Sequence, residues 1–129
     1  MMTISANVVA DALAKARDLM NDKGKHWTKG TSRKPIRVWR GEIVEYAYYS
    51  SGALTESTDD WGQIHPNPVR LEAIVALSQN PQIAAIDVLK YSDPYEEALA
   101  KIITWNDDPD RTWDEIDTAF RETEERLRN

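Results

Sequence analysis

The chain has no cysteine, which excludes disulfides, thiolate catalysis and cysteine-ligated metals together. Histidine is nearly absent too, with only His26 and His65 in 129 residues. No HExxH, paired-histidine or nucleophile-elbow pattern accompanies them. Glycine is sparse at five, and Gly24-Lys25 and Lys29-Gly30 lack the spacing of a phosphate-binding loop. No apolar run approaches the roughly 20 residues that span a bilayer, so no membrane partner is expected. The first 20 residues carry no cation before Lys15 and include Asp11, which does not fit a secretory signal. A cytoplasmic protein is the expectation.

What is present is an electrically divided chain. Residues 23–40, KGKHWTKGTSRKPIRVWR, hold seven Lys or Arg and no Asp or Glu. Without those seven, the formal net charge of −6 becomes −13 on the remainder. The 41% hydrophobic and 29% charged fractions fit an ordinary globular protein, and the length fits one domain over residues 1–129.

Local patterns predict a mainly α fold, a compact bundle of five or six helices with a short hairpin after the first. Val9, Leu13, Ala16 and Met20 recur at helical spacing within 7–21, with Ser5 or Asn7 as cap and Gly24 placed to end the helix. Ile36 and Val38 face Ile43 and Val44 across Arg40-Gly41, a candidate hairpin turn in an otherwise irregular excursion. Residues 46–55 read equally as strand or helix, and 56–66 as loop. Asn67-Pro68 and Asp93-Pro94 each place a capping residue before a proline at a first helical position, while Asn80-Pro81 stops one helix and Pro81 can start the next. The helix after Pro81 is expected to carry Ile83, Ile86, Val88 and Leu89, and the next one a Leu99, Ile102, Ile103 stripe. Thr112-Trp113-Asp114-Glu115 has the form of a capping box opening the last helix, with Trp113, Ile116, Phe120 and Leu127 as its buried edge.

Three segments bear a likeness to a known group. They are Gly24 with His26-Trp27-Thr28-Lys29-Gly30, then Tyr49-Ser50-Ser51-Gly52-Ala53-Leu54, then Ile103-Thr104-Trp105-Asn106-Asp107-Asp108-Pro109-Asp110-Arg111-Thr112. In this arrangement the chain resembles a small helical family of unknown function from actinobacteria and their bacteriophages. The resemblance implies a helical fold and a phage origin and transfers no activity. Members often carry a cysteine near the Gly-Ala-Leu segment; its absence here argues against a thiol role.

The oxygen-rich turn 106–110 invites a metal reading. Pro109, the lack of a central glycine and the ligand spacing do not fit a calcium loop, so no metal and no cofactor are expected. Asn106 and its neighbours are instead expected to end one helix and cap the next, with Trp105 and Trp113 stapling the pair.

The basic stretch has three readings. Cations with two indoles suit nucleic acid, against the opposing charge of the remainder. Trp and Arg suit a protein contact, and cations steer acidic partners. As a plain loop, its tryptophans anchor it to the core and its cations pair with acidic helices. The expected function is a non-enzymatic, phage-encoded accessory protein that binds a host protein through Lys25, Lys29, Arg33, Lys34, Arg37, Trp39 and Arg40. Nucleic-acid binding through the same residues is the alternative, and a hydrolase or transferase using His26 or His65 a further one. The acidic final third is read as solvated helix faces rather than a nucleic-acid mimic.

Overall fold

A computed structural model describes residues 4–21, 25–30, 33–59 and 67–129, which form six helices and one β-hairpin. Helix α1 (Ala6–Met20) is capped by the Ser5 hydroxyl, which accepts the Asn7 amide, and it buries Val9, Leu13, Ala16 and Met20 as the periodicity predicts. Strands β1 (Arg33–Trp39) and β2 (Glu42–Tyr48) then pair antiparallel around Arg40-Gly41. The ambiguous interval 46–55 divides at Tyr49, strand before it and helix α2 (Ser50–Ser57) after it. Helix α2 thus enters the expected loop; residues 60–66, with His65, lie outside the described residues, as does Gly24.

Asn67, Asn80 and Asp93 cap α3 (Pro68–Ser78), α4 (Pro81–Ala84) and α5 (Pro94–Asp107), each through a side-chain oxygen accepting an amide two residues on. One expectation fails here. Helix α4 stops after four residues, and 86–91 run without helix. Ile86, Asp87 and Val88 are poor helix formers, and of the expected apolar face only Ile83 is buried, leaving Leu89 82% exposed. Without a buried face a short helix has little to hold it.

Helix α6 (Trp113–Arg128) shows the full capping box. The Glu115 amide donates to the Thr112 hydroxyl at 3.3 Å, and Glu115 Oε1 accepts the Thr112 amide at 3.0 Å. These bonds hold the Glu115 carboxyl below its ordinary range, the backbone bond first, with Arg111 adding to them. Helix α1 packs on α6, α2 and α3, and α5 closes against α3 and α2. Their shared core contains Leu13, Met20, Leu54, Ile74, Leu77, Ile83, Ile102, Trp105, Ile116 and Phe120. On α5 the buried face is Ala98, Ile102 and Trp105; of the expected stripe Ile102 is fully buried, Leu99 is half-buried and packs against the core's edge, and Ile103, also half-buried, lies outside it.

Candidate protein-docking surface

The irregular stretch before the hairpin is fixed by one buried side chain. Asn106, in the last turn of α5, has no exposed surface. Its Oδ1 accepts from the Trp27 indole at 2.9 Å, the Ser50 amide at 2.9 Å and the Ser50 hydroxyl at 2.7 Å. Its Nδ2 donates to the Thr28 carbonyl at 3.0 Å and to Asp107 Oδ1 at 3.1 Å. Gly30, at φ +81°, donates its amide to the same Asp107 oxygen at 2.9 Å. Trp27 packs on Trp113 with ring centroids 6.4 Å apart. The helix does end within the 106–110 cluster as expected, at Asp107 with Asp108 as its cap, but Asn106 itself does more than end it. It is still helical, and it ties the 25–30 segment and the start of α2 to α5. The three segments that carried the family likeness meet at this one amide.

From that foot the hairpin projects. The Tyr48 amide donates to the His26 carbonyl at 2.7 Å and the Thr28 amide to the Tyr48 carbonyl at 2.9 Å, so the root of β2 is stitched to the fixed segment. Ala47 and Tyr48 are buried, whereas every residue of β1 is exposed. Trp39 pairs with Glu42 and Val38 with Ile43, with register irregularities on either side of Arg37. Those irregularities, Pro35 and the flanking cations make β1 a poor template for another strand. The hairpin offers side chains, not an open edge.

The seven residues singled out in the sequence divide in this setting. Arg33, Lys34, Arg37, Trp39 and Arg40 share the hairpin. Trp39 is 66% exposed, so it is not the core anchor that the plain-loop reading requires; half-buried Trp27 fills that role. The Arg33 guanidinium lies 4.6 Å from the Tyr46 ring centroid, and that of Arg40 5.8 Å from the Trp39 centroid. Arg37 meets Glu45 at 3.3 Å while staying largely exposed. Lys25 is exposed at the foot. Lys29 turns the other way, donating to the carbonyls of Asp108 at 2.8 Å, Pro109 at 3.3 Å and Arg111 at 3.2 Å. It clamps the α5–α6 turn. Nothing in the sequence marked Lys29 off from its neighbours, because its partners lie 79 to 82 residues away.

His26 places Nδ1 3.2 Å from the Asn21 carbonyl and Nε2 against the Glu45 carboxylate, so both ring nitrogens are engaged. No group of three or more His, Asp or Glu side chains is arranged to hold a metal among the described residues. The His26 hydrogen bond, reinforced by Lys25 and Arg37 against some desolvation, holds the Glu45 carboxyl below its usual range. A carboxyl depressed by folding stabilises above its unfolded pKa of about 4 and loses that contribution as pH falls through the lower folded value. Acidification below about pH 4 is expected to loosen the hairpin root. Amide shifts of β2 followed by NMR would show it, and Glu45→Gln would remove the step.

The profile of a family of unknown function (DUF6197) matches residues 5–126. No curated protein and no solved structure matches the chain. Among the described residues, no helix is long and apolar enough to cross a membrane.

Proposed function

As a chain that belongs to the DUF6197 family, whose function is unknown, the protein must be read from its own surface, and we propose that it is a binding protein that docks an acidic protein through the hairpin. In the fuller form of this proposal it is a phage-encoded accessory protein acting on a host protein in the host cytoplasm. The likeness of its motif segments to an actinobacterial and phage family supports that origin.

The observation that carries the docking reading is the combination at the tip. Trp39, Val38 (59% exposed), Ile43 and Ile36 are exposed apolar side chains interspersed along the hairpin with Lys34, Arg37 and Arg40. Apolar and aromatic centres with a charged rim are what hot spots are made of, and a cationic rim on an acidic molecule orients an acidic partner. Nucleic acid would use the cations and Trp39 but gives no reason to expose Val38, Ile36 and Ile43.

Arg40 adds to this. It sits at φ 50° and Gly41 at φ 79°, the two positive-φ positions of a type I′ turn. Asn or Gly is favoured at the first of these, and a long side chain there costs about 1 kcal/mol. Retaining Arg against that cost fits a side chain kept for contact. Arg40→Asn is therefore expected to stabilise the hairpin by a few tenths to about 1 kcal/mol while weakening capture of the partner. Chemical denaturation and a binding assay on the same variant check both halves.

The proposal is tested by affinity capture from host lysate with wild type, Trp39→Ala and a Lys34→Glu/Arg40→Glu double variant. An acidic protein retained by wild type and lost with both variants supports it; identical prey with all three baits sinks it. Anisotropy titration with single- and double-stranded DNA decides the alternative, since phosphate contacts give a steep salt dependence.

A further inference from the structure

Six of the seven large hydrophobic side chains exposed among the described residues fall in two places. Ile36, Val38, Trp39 and Ile43 are on the hairpin; Leu89 and Tyr91 are on the segment that leads into α5. Beside that segment, the outer face of α5 forms a shallow groove of about 350 Å³ lined by Tyr91, Glu96, Leu99, Ala100 and Ile103. These include Ile103, which the core does not take up, and Leu99, half-buried at the core's edge. The charge around the groove opposes that of the hairpin. Residues 86–103 carry Asp87, Asp93, Glu96 and Glu97 against Lys90 and Lys101, and the Lys101 ammonium donates to the Ala84 carbonyl at 2.8 Å. Residues 33–48 carry Arg33, Lys34, Arg37 and Arg40 against Glu42 and Glu45.

We propose that the α5 groove receives the hairpin tip of a second copy of this chain, with the Trp39 ring on Tyr91, Leu99 and Ile103 and Arg40 facing Glu96. Within one chain the tip does not occupy the groove, because Trp39 remains 66% exposed. Each region exposes apolar side chains, and the hairpin's excess of cations answers the excess of carboxylates around the groove, which is the complementarity a self-made contact requires. A contact of one hairpin tip is below the size of a standard interface, so association is expected at micromolar to millimolar concentration. The inference rests on the docking reading of the hairpin and adds to it: the second copy shields the tip until an acidic partner competes for it.

Sedimentation of the full chain from roughly 5 to 500 µM is the test. The average mass of wild type is expected to rise across that range. Trp39→Ala and Leu99→Arg should each weaken association at least tenfold, with unchanged circular dichroism. Arg40→Glu and Glu96→Arg should each fail alone and associate when mixed, because the exchanged charges pair again. Should Leu99→Arg fail to fold, the exposed Glu96→Arg stands in for it. A wild type that stays monomeric throughout, or that associates regardless of these substitutions, overturns the inference. Hairpin-dependent capture of an acidic protein by a monomeric wild type would leave the docking reading standing, whereas self-association without such capture would remove that reading alone.

Discussion

Asn106→Ala is expected to cost about 3–5 kcal/mol, from several buried polar groups left unpaired at about 1–3 kcal/mol each. The Trp27 indole, the Ser50 amide and hydroxyl and the Thr28 carbonyl would all lose their partner in one step. These groups were satisfied by water in the unfolded chain, and the truncated side chain returns nothing to them. For a chain of this length such a loss lowers Tm by roughly 10–20 °C, readable in calorimetry or urea melts. Asn106→Asp separates the two halves of the amide. It keeps an acceptor for the three donors but sets oxygen against the Thr28 carbonyl and Asp107, so its cost should shrink on acidification as a protonated carboxyl regains a donor. A loss below about 1 kcal/mol for Asn106→Ala would mean the foot of the hairpin is held chiefly by Lys29.

That dependence on one amide also marks where sequence reasoning stopped. Caps are local chemistry, and Ser5, Asn67, Asp93 and Thr112 announced four helix starts that the fold contains, with Pro81 marking a fifth. The Arg40-Gly41 turn was legible for the same reason, since its conformation depends on the two residues in it. The length of the hairpin was not, because β1 is exposed throughout and has no alternating buried face to announce it. Helix α4 and Ile103 misled because apolar periodicity states which face prefers burial, not whether a neighbour exists to bury it. Asn106 and Lys29 escaped for a further reason: Trp27 is 79 residues from Asn106, and the carbonyls bound by Lys29 are as remote. Charge density located the candidate surface, but only three-dimensional contacts show that Lys29 is committed to the body while Lys34 and Arg40 point outward.

The second large effect is expected where the first and last helices are joined. Arg17 grips Glu124 with two parallel bonds, Nε at 2.9 Å and Nη2 at 3.1 Å, and reaches Asp117 at 3.6 Å. Glu124 is buried and Arg17 only partly so. The hydrogen bond to Glu124 raises the Arg17 pKa against the opposing cost of burial. Arg17→Ala strands a nearly buried carboxylate against the α1–α6 seam and is expected to cost about 2–3 kcal/mol, discounted from the full buried-pair figure for the exposure of the guanidinium. Replacing both partners by apolar side chains, Arg17→Met with Glu124→Leu, leaves no charge stranded and should recover to within about 1 kcal/mol of wild type. Urea melts of the two single variants and the double one form a cycle that reads the coupling directly. If the double variant proves as unstable as Arg17→Ala, the fork geometry itself sets how α1 meets α6. If it recovers, the seam is held by Leu13, Ala16, Ile116 and Phe120, and the ion pair serves mainly to exclude other registers.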